Sequence, residues 1–136
     1  MTEKLQQVAA RFREDEFSYN PIRYAEYVHE LLDMGTPLGS EPSYFELLER
    51  VIEMLWHCQG PQLRSAEMDR LLSSIQVRWS PDLPSHERAS LVNIAAYMLP
   101  HEATRQWLYQ QADATQGELS AYLRKTAASQ RKQYAT

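Results

Sequence analysis

We predict an all-α protein, an irregular antiparallel bundle of about six to seven helices. Good helix formers such as Leu, Ala, Glu, Gln and Arg are plentiful, and the 136 residues include only four glycines. No stretch keeps a strict alternation of apolar and polar residues, so essentially no sheet is expected. Prolines, glycines and polar turn residues divide the chain into about seven segments, and the apolar residues of these segments recur at helical spacing.

The first two helices follow from apolar spacing and from one clear start signal. Apolar residues recur at helical spacing over residues 3–16. Asn20 and Pro21 fit the N-cap and the first position of a second helix, because the asparagine side chain accepts a backbone N–H and proline has none that needs a partner. This helix is predicted to run to Met34, where Gly35 stops it and a turn-rich loop follows.

The third and fourth helices are bounded by capping and turn residues. Ser43 and Glu46 form a capping box, in which the two side chains accept backbone N–H groups at opposite ends of the first turn. The third helix is predicted to end near Cys58, because Gln59-Gly60-Pro61 does not continue a helix. The fourth helix is predicted over residues 65–79, before a stretch that contains two prolines.

The last three helices are predicted over residues 85–99, 100–112 and 115–132. Pro100 sets the boundary between the first two of them, because the residue before a proline is biased away from the helical conformation. Thr115 and Glu118 form a second capping box, which opens the seventh helix.

The third and fifth helices are predicted to lie at the centre of the bundle. Each has an apolar arc wide enough for neighbours on two sides, whereas the narrower apolar stripe of the fourth helix favours an outer position. Short connections between consecutive helices favour antiparallel neighbours.

An alternative architecture is a short HEAT-like stack of helical hairpins. The hairpins that begin near Tyr44 and near Ser85 are 41 residues apart, which is close to the period of such repeats. The two units show no residue-by-residue similarity, and two repeats alone would hardly form a stable solenoid. The irregular bundle is therefore preferred.

Length and composition fit a single helical domain over residues 1–136. With 43% hydrophobic and 24% charged residues, the chain has the composition of a folded globular protein. The one cysteine, Cys58, cannot form an internal disulfide, and neither an apolar leader nor a run of about 18 apolar residues occurs. We therefore expect a cytoplasmic protein that does not bind a membrane.

Charge is distributed unevenly along the chain. The net charge is −4, with eleven acidic against five basic residues in 1–60 and seven against nine in 61–136. Acidic residues recur at helical spacing on the second and third helices, where Arg23 and Arg50 are the nearby basic residues. The partner-binding candidates are Glu26, Glu30 and Asp33 on the second helix, Glu46, Glu49 and Glu53 on the third, and Trp56 beside them.

We expect these two helices, as an antiparallel pair, to present one acidic surface to a basic partner protein. Opposite charge across an interface raises the association rate and favours specificity, and Trp56 would supply a desolvated anchor at the edge of the surface. The alternative is that the carboxylates only solvate outer helix faces, which is the default role of charge on a helix.

The seventh helix carries the opposite charge. Its basic-face candidates, Arg124, Lys125, Arg131 and Lys132, include two pairs spaced seven residues apart. Four cations are few for nucleic acid, because affinity grows with the number of phosphates neutralised, and we do not expect nucleic acid as the partner. Basic residues near the C-terminus of a helix also complement the helix dipole, which is the structural interpretation.

Motifs for catalysis and metal binding are incomplete. Glu26 and His29 have the Glu-x-x-His spacing of di-iron bundles, but a second copy is missing and the pair lies on the polar face of its helix. Neither His86 nor His101, each followed by Glu, continues into H-E-x-x-H, and no glycine-rich phosphate loop with a lysine occurs. We therefore expect no enzyme activity, no metal and no cofactor.

The favoured hypothesis is a non-catalytic protein-binding module, a small acidic inhibitor of the immunity-protein or antitoxin kind that masks a basic partner protein. Its basis is an analogy, since toxins that act on nucleic acid tend to have basic sites that an acidic surface can cover. Two alternatives stay open: a helical regulator that binds nucleic acid through Arg and Lys of the C-terminal half, and an enzyme or ligand-binding bundle with a site between helices. A homo-oligomer is compatible with all three.

Overall fold

A computed structural model of the chain describes residues 3–34, 42–58, 63–99 and 101–129. Every regular element in these ranges is an α-helix and none is a strand, which confirms the all-α prediction. None of these helices is long and apolar enough to cross a membrane. The seven helices are α1 (Glu3–Asp15), α2 (Pro21–Met34), α3 (Pro42–His57), α4 (Ser65–Arg78), α5 (Ser85–Tyr97), α6 (Glu102–Ala114) and α7 (Gly117–Ala128).

The start of α2 is capped as predicted. Asn20 Oδ1 accepts the backbone N–H of Ile22 at 3.1 Å and that of Arg23 at 3.4 Å. These bonds satisfy two of the amide groups that the first turn of a helix leaves without an intrahelical partner. α3 begins at Pro42, so Ser43 lies inside the helix and not at the N-cap position predicted for it. Several predicted boundaries lie outside the described residues: the helix ends at Gly35 and residues 59–61, the loop over residues 36–41, and the boundary at Pro100. The side chain of Ser43 also lies outside them.

The capping box predicted from Thr115 and Glu118 is wrong. α6 continues to Ala114, so Thr115 ends that helix, and its hydroxyl donates to the carbonyl oxygen of Gln111 at 2.9 Å. The chain then turns into α7 at Gly117, whose φ of 69° lies in the left-handed region that glycine adopts without steric cost. The threonine hydroxyl therefore satisfies the end of one helix and does not cap the start of the next.

The helices pack in two layers. In one layer α1 contacts α3, α3 contacts α5 and α5 contacts α7, and in the other α2 contacts α4. Trp79, which follows α4, reaches α6: its ring centroid lies 5.6 Å from that of Trp107, and its indole N–H donates to Gln111 Oε1 at 3.1 Å. The consecutive pairs α1–α2, α2–α3, α4–α5 and α6–α7 join the two layers.

α3 and α5 run parallel and in constant register. Glu49 contacts Ser90 and, two turns further on, Trp56 contacts Tyr97, so each residue meets the one 41 positions later in the chain. This is the spacing on which the hairpin alternative was based. Among helices that follow each other in the chain, α2–α3 and α6–α7 pack most extensively. The predicted hairpins are α3–α4 and α5–α6, so each observed pair differs from a predicted one by one helix. The helices therefore stack in layers, as they would in a hairpin stack, but the hairpins are not the ones predicted.

α3 and α5 lie at the centre, as their wide apolar arcs predict. Buried apolar residues of all seven helices form one contiguous cluster. α3 contributes Tyr44, Phe45, Leu48, Val51, Ile52, Met54 and Leu55, and α5 contributes Leu91, Val92, Ile94, Ala95 and Ala96. α4 buries only Leu71, Leu72 and Ile75, in keeping with its outer position. Since each large aliphatic side chain contributes about 1.5–3 kcal/mol on burial, α3 and α5 supply much of the stability.

The hydroxyl of Tyr44 provides a test of the α2–α3 packing. It is buried and donates to the carbonyl oxygen of Leu31 at 2.6 Å, one of the last four α2 carbonyls, which lack partners within the helix. Burial raises the pKa of Tyr44 to about 12. We expect Tyr44→Phe to lower the free energy of unfolding by about 1–3 kcal/mol, because the buried carbonyl loses its donor.

Urea unfolding followed by far-UV circular dichroism measures this loss. The control is Tyr109→Phe, since the half-buried Tyr109 makes no hydroxyl hydrogen bond within the described part of the chain; we expect it to stay within about 0.5 kcal/mol of the wild type. Equal effects of the two changes would contradict the assigned bond.

Candidate functional site

The three predicted carboxylates of α2 each form an ion pair within the chain. The pairs are Glu26–Arg23 at 2.9 Å, Glu30–Arg11 at 2.7 Å and Asp33–Arg70 at 2.7 Å. Two of these arginines come from α1 and α4, so the expectation that only Arg23 and Arg50 lie close to the acidic residues is wrong. The hydrogen bond from Arg70 holds the pKa of Asp33 below its ordinary value. Two of the three α2 carboxylates therefore contact neighbouring helices, Glu30 reaching α1 and Asp33 reaching α4.

The three predicted carboxylates of α3 have three different environments. Glu49 is half-buried against α5, where Oε1 accepts the Ser90 hydroxyl at 2.5 Å and Oε2 accepts the Asn93 amide at 3.0 Å. Glu53 lies 3.3 Å from Arg50. Glu46 is exposed and makes no ion pair within the described ranges. A helix pattern separates polar from apolar arcs, but it does not show which polar residue faces a neighbouring helix.

The six carboxylates and Trp56 do not form one continuous surface. The α2 carboxylates point toward α1 and α4 or pair along α2, whereas Glu49 points toward α5. Trp56 is half-buried and packs against Tyr97 of α5, with ring centroids 5.6 Å apart. Of the predicted set, Glu26, Glu46 and Glu53 remain the carboxylates that are not used to join one helix to another.

Two arginines near the α1–α2 connection are each shared by two carboxylates. Arg23 lies 3.1 Å from Asp15 and 2.9 Å from Glu26. One guanidinium cannot neutralise two carboxylates, so this cluster keeps a charge of −1.

The second shared arginine, Arg50, repeats the arrangement on α3. It lies 2.6 Å from Glu16 and 3.3 Å from Glu53. Arg13 and Glu14 are exposed in the last turn of α1 and directly precede Asp15 and Glu16 in the chain. We call these residues the acidic rim: Glu14, Asp15, Glu16, Glu26 and Glu53, with Arg13, Arg23 and Arg50. Five carboxylates and three guanidinium groups give the rim a net charge of −2.

The carboxyl group of Asp15 is the best-connected member of the rim. It accepts the Tyr27 hydroxyl at 2.5 Å and the Arg23 guanidinium at 3.1 Å. The hydrogen bonds from Tyr27 and then Arg23 hold the pKa of Asp15 below its ordinary value of 3.8. The cluster fixes the C-terminus of α1 to the first turn of α2.

Three large apolar side chains are exposed at the α1–α2 connection and in the first turn of α2. Phe17 is 68% exposed, Tyr19 is 60% exposed and Ile22 is 70% exposed. We call them the turn surface. Of the tyrosines near this turn, Tyr24 and Tyr27 are buried and Tyr19 is not. Sequence analysis missed this surface, and the available signal was that Phe17 follows the end of α1 and Ile22 lies off the apolar stripe of α2.

The basic residues of the C-terminal half are largely engaged within the chain. Arg124 lies 2.8 Å from Asp113, Lys125 is exposed, and Arg131 and Lys132 lie outside the described residues. Five further arginines contact carboxylate or backbone carbonyl oxygens: Arg64 near Glu67, Arg70 with Asp33, Arg78 with Glu87, Arg88 with Pro81 and Arg105 with Ala127. No observation therefore favours the nucleic-acid alternative.

One hydrogen-bonded series has the residue types of a catalytic triad. His101 Nδ1 lies 2.7 Å from Thr104 Oγ1, and its Nε2 lies 2.9 Å from Asp69 Oδ1. Thr104 is fully buried, so a substrate cannot reach its hydroxyl. Since His101 immediately precedes α6 and Asp69 lies on α4, the series joins these two helices and its role is structural.

Sites for a metal or a small ligand are not evident in the described ranges. No three His, Cys, Asp or Glu residues there lie close enough together to hold a metal ion. Cys58 is half-buried, and burial raises the pKa of its thiol. A cleft between α3 and α5, lined by Glu46, His86 and Glu87 among others, has a cavity volume of about 10 Å³. That is roughly the space of one water molecule, far below the about 300–1,000 Å³ of ligand pockets.

The role of Glu49 can be separated from surface charge by alanine substitution. We expect Glu49→Ala to lower the free energy of unfolding by about 1–3 kcal/mol, because Ser90 and Asn93 lose their acceptor at the α3–α5 contact. Glu46→Ala, one turn earlier and exposed, is the control and is expected to change stability by less than about 0.5 kcal/mol. Urea titration measures both, and a small effect of Glu49→Ala would show that it does not join the two helices.

Asp15 gives a pH-dependent prediction. Because its folded pKa is lowered, the ionised carboxylate stabilises the fold above its unfolded pKa near 3.8, and this contribution is lost as the pH falls through the folded value. We expect Asp15→Asn to be less stable than the wild type at about pH 7, with a difference that shrinks on acidification. Urea unfolding across this range is the measurement. Asp82→Asn, at an exposed site, should follow the wild type, and a constant difference for Asp15→Asn would contradict the prediction.

Among the described residues, the acidic rim combines ion pairs with an excess of carboxylates, and the turn surface exposes apolar side chains beside it in the chain. In comparisons with known proteins, no protein-family model, no curated protein and no solved structure matches the chain.

Proposed function

We propose that the chain is a non-catalytic protein-binding module that captures a partner with a basic surface. The observation that carries this proposal is the sharing of Arg23 and Arg50, each by two carboxylates. The sharing leaves a net negative charge at the acidic rim, although most of its members are paired. In the rest of the described ranges most ion pairs join one arginine or histidine to one carboxylate, and Glu67 has two basic partners, His29 and Arg64.

The rim has a distribution of charge that suits recognition more than stability. Exposed ion pairs contribute little to folding, typically about 0–1 kcal/mol, so a cluster with excess carboxylate gains little as a stabilising device. Its field, in contrast, extends over about a Debye length and raises the rate of encounter with a cationic surface. Nucleic acid would be repelled by the same field, which leaves a basic protein as the partner.

An inhibitor of the immunity-protein or antitoxin kind is the specific role that we favour. Proteins that act on nucleic acid need a cationic site for the phosphate backbone. A small acidic module can cover such a site through charge complementarity, which also rejects partners of the wrong sign. The support is the sign and position of the charge, and the analogy is one of class.

The proposal is tested by capture of a partner and by charge-matched variants. Affinity capture with chemical crosslinking, in the cells that make this protein, should recover a partner with a pI above about 9. Neutralising the rim with Glu14→Gln, Glu26→Gln and Glu53→Gln should lower the association rate with that partner by about tenfold at low salt. Surface plasmon resonance measures the rate.

The control removes the same number of charges elsewhere. Asp82→Asn, Glu102→Gln and Glu118→Gln change exposed carboxylates of the α4–α5 connection, α6 and α7. We expect this variant to associate at nearly the rate of the wild type. Recovery of an acidic partner, failure to recover any partner, or equal slowing by the two variants would overturn the proposed function.

A further inference from the structure

The turn surface is apolar, exposed and concentrated in six consecutive residues. Phe17, Tyr19 and Ile22 each expose 60% or more of their surface. The two other exposed large apolar side chains in the described ranges, Val77 and Tyr122, lie on different helices. Scattered exposed apolar residues are ordinary on a protein surface, whereas a contiguous group bordered by charge is typical of an interaction site.

The backbone holds the turn surface in one conformation. Tyr19 has a φ of 52°, a left-handed value that is costly for a residue other than glycine. Its N–H donates to the Tyr24 hydroxyl at 3.0 Å, and that hydroxyl donates to the carbonyl oxygen of Glu16 at 2.6 Å. Tyr24 is itself fully buried, with its ring packed edge-on against Phe12. These contacts position Phe17, Tyr19 and Ile22 before any partner arrives, which lowers the entropic cost of binding.

We propose that the turn surface docks into an apolar patch of a partner protein, and that lysine or arginine residues border this patch. The proposal rests on the function proposed above and adds the contact surface and the chemistry of the partner. Members of the acidic rim flank the turn surface in the chain: Glu16, paired with Arg50, precedes Phe17, and Arg23, paired with Asp15, follows Ile22. An apolar centre with a charged border is the usual anatomy of a protein interface, in which aromatic side chains supply the anchors.

Charge decides between a basic partner and a second copy of this chain. In a two-fold symmetric dimer, the same patch of each copy faces the other. Two turn surfaces packed in this way would bring two rims of net charge −2 together, and like charges across an interface are unfavourable. A basic partner meets the same rim with opposite charge.

Synthetic peptides of equal length serve as probes of the full chain. The first is an amphipathic peptide of leucine and lysine, the second replaces leucine with serine at the same charge, and the third replaces lysine with glutamate. We expect the leucine–lysine peptide to shift the amide resonances of residues 14–26 in the isotope-labelled protein. Its affinity should exceed that of the serine–lysine peptide by about tenfold, and the leucine–glutamate peptide should not bind.

Variants of the turn surface separate binding from folding. The double change Phe17→Ser and Ile22→Ser should weaken binding of the leucine–lysine peptide by about tenfold without lowering the midpoint of urea unfolding. Tyr19→Gly keeps the N–H bonded to Tyr24 and relieves the left-handed φ, so it should raise the unfolding midpoint while it weakens binding. Val77→Ser, at a site 67% exposed on α4, is the control and should leave binding unchanged.

The outcomes distinguish this inference from the proposed function. Amide shifts centred outside residues 14–26, or an unchanged affinity of the turn-surface variants for the leucine–lysine peptide, would overturn docking at the turn surface. The rim variants would still test whether the partner is basic. A dimer in analytical ultracentrifugation that the turn variants dissociate would show that a second copy occupies the surface, against the proposal. Strong binding of the leucine–glutamate peptide would contradict the charge argument in both the proposed function and the docking proposal.

Discussion

The parallel packing of α3 against α5 is the constraint on which the rest of the molecule depends. These helices supply much of the buried apolar surface, and the half-buried Glu49 fixes their register because both its oxygens need donors and Ser90 and Asn93 provide them. A shift by one residue would remove those donors from the carboxylate and leave it buried without partners, which is costly. The flanking helices α1 and α7 continue the same layer, while α2, α4 and α6 form the other layer.

Charged residues have two roles in this fold, one at the contacts between helices and one at the α1–α2 connection. Arg11 with Glu30, Arg70 with Asp33 and His101 with Asp69 join neighbouring helices of the bundle. Each such surface contact contributes little energy, but together they fix how neighbouring helices face each other. At the α1–α2 connection the pattern changes, because Arg23 and Arg50 are outnumbered by their carboxylate partners. The excess negative charge there is the feature on which the proposed binding of a cationic surface rests.

Three local preferences, for charge at a helix end, for backbone conformation and for burial of apolar side chains, are not followed at the α1–α2 connection. Glu14 and Asp15 lie at the C-terminal end of α1, where the helix dipole disfavours negative charge. Tyr19 adopts a backbone conformation that glycine or asparagine adopts more readily, and Phe17 and Ile22 expose apolar surface to water. Natural proteins usually follow such preferences and depart from them at functional sites. Because three independent departures coincide, the connection is the region from which we infer binding.

The amino-acid sequence by itself determined the fold class, the number of helices, the cap at Asn20 and the central places of α3 and α5, because helix propensity, capping and apolar periodicity are local properties. It also contained the 41-residue spacing of α3 and α5, but not which helices would pair as hairpins. Only the tertiary structure decided that Glu49 faces α5, that Arg11 and Arg70 reach α2, and that Thr115 ends α6. The contacts of Glu49, Arg11 and Arg70 join residues far apart in the chain, which no local pattern specifies, whereas Thr115 makes a local bond to Gln111 that competes with the predicted cap. The tertiary structure also decided the exposure of Phe17, Tyr19 and Ile22, since an apolar side chain is exposed only when the packed helices leave it uncovered.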